Sequence, residues 1–135
     1  MFGLSATRDL GIGQYPGQIG QAVDAIYPMV YPSHYTPGEF NLSDPNASPE
    51  QTVAYSLRDF RSKLTGSDAR LIPWLQDFSL DGRTYTAADV EAQIKAARQY
   101  QTGGYMLWNA SGVYSSGVLN ADSPPNLPDL ARPGI

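Results

Sequence analysis

Apolar residues recur along this chain in two periods. Val53, Leu57, Phe60 and Leu64 are spaced by four, three and four positions, and Ala87, Val90, Ile94 and Ala97 by three, four and three. Each set lines one stripe of an α-helix, and Arg58, Asp59, Arg61 and Lys63 fall mostly off the first stripe. Elsewhere the helical period is lost. Residues 25–30, 69–75 and 105–108 are short apolar runs rich in β-formers, with the length of buried strands. Residues 1–5 read as the end of a further strand, too short to stand alone. The order strand, helix, strand, helix, strand predicts an α/β fold of parallel strands joined by right-handed crossovers.

Capping and turn residues divide the chain in the same places. Ser48 is expected as an N-cap, with Pro49 at the first helical position and Gln51 completing a capping box, and Gly66 stops that helix in a left-handed conformation. Asp81-Gly82 signals a turn, Thr86 opens the second helix, and Gly103-Gly104 end it. The loop over residues 6–20 holds Gly11, Gly13, Gly17 and Gly20, with a helical turn expected near residues 19–23. It makes a poor phosphate cradle, because Pro16 interrupts it and no Lys-Ser/Thr pair or convincing helix follows. From residue 111 the chain turns to Gly, Ser and Pro, so residues 1–114 are read as one domain and 115–135 as an unstructured tail.

Composition narrows the function. At 135 residues and 41% hydrophobic the chain can bury one core. Nine Lys and Arg against thirteen Asp and Glu give a net charge of -4 without a basic patch, which argues against nucleic acid and anionic membranes as partners. The absence of cysteine removes disulfides and thiolate metal sites, and leaves the redox compartment open. No apolar run approaches the roughly 20 residues of a membrane span. Met1-Phe-Gly-Leu lacks a signal peptide's basic start and long apolar segment, so a soluble chain is expected.

Candidate chemistry gathers where the apolar runs end. The stretch Asp-Ala-Ile-Tyr-Pro-Met-Val-Tyr-Pro-Ser-His-Tyr at residues 24–35 delivers Tyr31, Ser33, His34 and Tyr35 to a strand's C-terminal end. The next run ends in Trp74, Gln76 and Asp77, and the last in Trp108 and Asn109. Three strand ends carrying the same kinds of side chain suggest one shared cleft on the rim where α/β folds bind ligands. Asp77 sits among Trp74, Gln76 and Phe78, where apolar neighbours suit a carboxyl to acid or base work; the bland alternative is a turn cap or an Arg partner. His34, the only histidine, suits a ligand hydroxyl or a carboxylate better than a metal, and a structural role competes closely. Neither a metal nor an organic cofactor is expected. Trp74, Trp108, Tyr31 and Tyr35 are either core or platforms for sugar rings, whose C–H faces stack while their hydroxyls seek directional partners. Hydrolysis by Ser33, His34 and Asp77 is a poor fit because adjacent residues do not readily face each other, and no Gly-x-Ser-x-Gly elbow is present.

The words Asp24 to Tyr35, Ile-Pro-Trp-Leu-Gln-Asp-Phe at 72–78 and Leu-Trp-Asn-Ala at 107–110 resemble three consecutive strand ends of a bacterial "putative glycoside hydrolase" family, defined by a domain of unknown function with a TIM-barrel fold. Phe2-Gly-Leu and Gly11-Ile-Gly-Gln are similar to that family's preceding strand end and loop. The resemblance covers residues 2–114 and implies the C-terminal half, about strands five to eight, of a (β/α)8 barrel that takes about 250 residues in full. The family's strand-four Asp-Tyr-Ile-Arg-Phe-Pro-like word and the Asp before its Phe-Gly have no counterpart here. An extracellular or cell-envelope location is implied by the resemblance alone.

The resulting expectation is glycoside hydrolysis at the C-terminal ends of the strands, in a fragment lacking one catalytic carboxylate. Asp77 is the expected acid/base, Trp74 and Trp108 the sugar platforms, and Tyr31, His34, Tyr35, Gln76 and Asn109 the remaining contacts to an oligo- or polysaccharide. A non-catalytic carbohydrate-binding or scaffold half-barrel is the alternative, and a phosphate-ligand or metal-dependent barrel enzyme comes third. A half-barrel is expected to meet its missing half or to self-associate.

Overall fold

In the computed structural model, residues 1–7 and 9–119 are described, so most of the tail expected over 115–135 lies outside the described residues. Proline sets the extent of the strands. β1 (Ala25–Ile26) pairs with β2 (Arg70–Leu71), and β3 (Trp74–Gln76) with β4 (Met106–Trp108), both in parallel. β2 and β3 form one path interrupted at Pro73, which has no N–H to give. The ladder continues across the break: Ile72 N–H donates to Ile26 O at 2.9 Å, Trp74 N–H to Pro28 O at 2.8 Å, and Val30 N–H to Trp74 O at 3.1 Å. Phe2 bridges Met29, and Met29 bridges Trp74, again in parallel. Four segments therefore lie side by side in chain order. This is the parallel α/β arrangement that the alternation predicts, with shorter strands, because Pro28 and Pro73 remove ladder donors. The strand expected over residues 1–5 is reduced to Phe2, and Gly3–Ala6 turns into a 3-10 helix.

The helices follow their stripes. α1 (Pro16–Ile19) is one turn and starts earlier than the expected 19–23, since Pro16 occupies its first position. α2 (Pro49–Lys63) and α3 (Ala87–Gln99) are the two amphipathic helices. Ser48 precedes α2 but makes no side-chain cap hydrogen bond, so the expected box with Gln51 does not form. Its ψ of 58° departs from the extended geometry that aims a capping hydroxyl at the first turn. Instead Thr52 Oγ1 reaches back to Pro45 O at 2.9 Å. A complete capping box stands at α3, where Thr86 N–H donates to Asp89 Oδ2 at 2.9 Å and Asp89 N–H to Thr86 Oγ1 at 3.4 Å. Gly66 takes φ 81° after α2, as expected. Beyond α3 it is Gln101 that turns left-handed, at φ 49°, while Gly103 N–H already joins the ladder on Leu71 O at 3.0 Å. Asp81 and Gly82 both take positive φ, the tight turn that the pair signals.

Both helices pack on one face of the sheet. Val53, Leu57 and Phe60 of α2 and Val90, Ile94 and Ala97 of α3 close over Ile26, Val30, Leu71 and Leu75 to form the core. Among the described residues the opposite face carries no helix. Register places Phe2, Met29, Trp74 and Met106 in one row across it, and Phe2 is 46% and Met106 37% exposed.

Candidate functional site

A 3-10 turn, Pro32–His34, carries the chain away from the end of the β1 path. Pro32 opens it and the turn folds Ser33 back over β3, where Ser33 N–H and Oγ–H both donate to Gln76 Oε1, at 3.0 and 2.9 Å. Gln76 is fully buried and its amide donates to Phe78 O at 2.9 Å. Gln93 of α3 clamps the same residue from the helix side: Gln76 N–H donates to Gln93 Oε1 at 2.9 Å and Gln93 Nε2 to Gln76 O at 2.8 Å. Gln76 thus ties the first rim turn to the third strand and α3, and its amide is occupied within the protein.

The next residue closes a second loop. Asp77 N–H donates to Trp108 O at 3.0 Å, and Asn109 Nδ2 donates to Asp77 O. The Asp77 carboxylate takes two hydrogen bonds from one residue, Ser115 N–H on Oδ2 at 2.8 Å and Ser115 Oγ–H on Oδ1 at 2.7 Å, and Asp77 is 4% exposed. Asn109 Oδ1 also accepts from Ser111 N–H at 2.8 Å, so this side chain shapes the loop that brings Ser115 to Asp77.

Aromatic side chains surround these anchors. Tyr31 stands edge-on to His34 and Phe78, both with centroids at 5.3 Å, and His34 lies 6.1 Å from Phe78. Burial pushes the Tyr31 hydroxyl up to about 12, so it stays a neutral donor at any ordinary pH. Trp74 and Trp108 meet edge to face at 5.9 Å and 89° on the open side of the sheet, Trp74 half-buried and Trp108 43% exposed. An apolar edge-to-face pair of this kind offers one ring face and one ring edge to a ligand.

The rim therefore sorts the residues read from the sequence. Trp74, Trp108 and His34 present surface, while Asp77 is adjacent but covered by Ser115. Tyr31, Gln76 and Asn109 hold the strand ends together. Tyr35 is set apart: it is buried with the Ser56 hydroxyl donating to its oxygen at 2.6 Å, beneath α2. Gln93 and Ser115 were not among the candidates. Gln93 had a legible signal, a lone amide between Val90 and Ile94 on an otherwise apolar stripe. Ser115 had none, because it lies in a run of small and polar residues. Among the described residues, no group of three or more His, Asp or Glu could hold a metal ion, and no helix is long and apolar enough to cross a membrane.

A separate hollow of about 340 Å³ lies between the glycine loop and the end of α2, lined by Ser5, Thr7, Asp9, Gln14 and Lys63 among others. Hydrogen bonds from Gly11 N–H and the Tyr15 hydroxyl hold the Asp9 carboxyl below its usual range. A carboxylate facing this hollow opposes a phosphate there.

A family model described as "Putative glycosyl hydrolase domain" matches residues 1–114. No curated protein and no solved structure matches the chain.

Proposed function

We propose, from the premise that this chain belongs to the putative glycosyl hydrolase domain family, that its strand ends form part of a carbohydrate cleft in which O-glycosyl bonds are hydrolysed. The observation that carries the reading is the Trp74–Trp108 pair, edge to face at 5.9 Å on an open sheet face, at strand ends where the backbone N–H of Asp77 meets Trp108 O at 3.0 Å. Half-exposed indole rings match the C–H faces of a sugar, and His34 adds a polar group at the same rim. Asp77 serves as the acid/base. Glycosidases work with two carboxylates flanking the scissile bond, so the partner carboxylate comes from chain that completes the sheet. In this reading the four parallel segments are half of a (β/α)8 barrel and the row Phe2, Met29, Trp74 and Met106 faces its interior.

A second reading is favoured by one observation. Asp77 spends both carboxylate oxygens on Ser115, as a purely structural anchor would, and this supports a carbohydrate-binding half-barrel without catalysis. Turnover on a panel of aryl glycosides and oligosaccharides separates the two. With Asp77 as acid/base, Asp77→Asn lowers turnover about 10²- to 10⁴-fold, while its melting temperature falls no further than that of Ser115→Ala. Glycan binding without turnover, equal in wild type and Asp77→Asn, establishes the binding module instead.

A further inference from the structure

The segment that covers Asp77 has the build of a moving part. It leaves the sheet at the end of β4, where Asn109 fixes its base through Asp77 O and Ser111 N–H. It returns to the domain at Val118, which is buried in the core cluster. Between these two anchors Ser115 reaches inward to the Asp77 carboxylate, while Val113 is 71% and Tyr114 46% exposed. Gly112 and Gly117 bracket this middle part in left-handed conformations, at φ 68° and 86°, and the space where a Cβ would stand is empty at both. Gly112 keeps one backbone hydrogen bond, from its N–H to Asn109 O at 3.1 Å, and at neither glycine does a side chain tie the turn to the core, so both can change backbone conformation at low cost.

Ser115 also makes the contacts that a ligand would make. It offers an O–H and an N–H, each to a different oxygen of the same carboxylate, which is how a sugar hydroxyl and a neighbouring donor engage an acid. We infer that residues 109–118 form a lid over Asp77, closed in this structure, in which Ser115 holds the place of a ligand hydroxyl. The inference rests on the reading of Asp77 as the working carboxylate. Substrate binding then exchanges the Ser115 contacts for its own, and the lid swings on Gly112 and Gly117. Closure protects the carboxylate and costs affinity, because only the open fraction can bind.

The test separates the lid from the sugar. Carbodiimide labelling of carboxyl groups, read residue by residue by mass spectrometry, reports access to Asp77 with no glycan present. Val118→Ser unseats the far anchor and Ser115→Ala removes the hydroxyl contact. A lid gives roughly tenfold faster labelling of Asp77 in either variant, with amide exchange unchanged in α2 and α3. Labelling that stays slow, or that rises together with exchange throughout both helices, makes the segment part of the core and overturns the lid. With an oligosaccharide that the wild type binds, Ser115→Ala binds several-fold tighter; weaker binding overturns the inference. Selective opening at Asp77 in a protein that binds no glycan leaves the lid in place and removes the carbohydrate reading.

Discussion

Gln93 lies on the same helical stripe as Val90, Ile94 and Ala97 and is as deeply buried as they are. Its amide pairs with both the N–H and the C=O of Gln76, which lose their strand partner where the β1 path turns away after Val30 into the Pro32–His34 turn. Gln93→Ala should therefore cost about 2–5 kcal/mol, the sum for two orphaned buried groups plus a small cavity. Urea unfolding measures it, and a loss under about 1 kcal/mol would show that water or a shifted backbone satisfies Gln76 instead. The sequence places Gln76 on the rim correctly. It does not show that Ser33 folds over it and bonds the amide oxygen, since that contact joins residues 43 positions apart. Asp77 repeats the lesson, because its partner Ser115 is 38 positions away in a run with no apolar period.

At the scale of elements, what was legible followed from local rules. The two helices were readable because their stripes are strong and repeat over several turns, and α2 and α3 pack on the sheet by the residues those stripes name. The existence and order of the strands were readable too. Their length was not, since an apolar run such as residues 69–75 shows β-propensity throughout while Pro73 removes a donor in its middle. Thr86 caps α3 as its position predicts and completes a box with Asp89, whereas Ser48 and Gln51 have the right residue types but Ser48, at ψ 58°, makes no side-chain cap hydrogen bond. Beyond residue 114, Ser115 and Val118 touch the domain through side chains, contacts that no local pattern in the sequence announces.

At the scale of the whole, the described residues form a parallel sheet with helices on one face. Parallel sheets are found with both faces covered, and here the open face carries Phe2, Met29, Trp74 and Met106 in one row with Trp108 beside them. Its outer segments, the one at Phe2 and β4, each pair on one side among the described residues. Such a surface should draw the isolated 135 residues into oligomers or bind a hydrophobic dye at micromolar concentration. Sedimentation with dye fluorescence checks this, and a compact, dye-silent monomer would argue against a half-barrel. The same open face holds the proposed cleft, and the chain's two tryptophans both stand on it. Tryptophan emission, excited selectively over the nine tyrosines, therefore reports on that surface. Titration with a broad panel of oligosaccharides is the most direct test: the account predicts a saturable change in tryptophan emission that Trp74→Ala and Trp108→Ala each weaken, with the far-UV spectrum preserved. Emission that no member of the panel alters would contradict it.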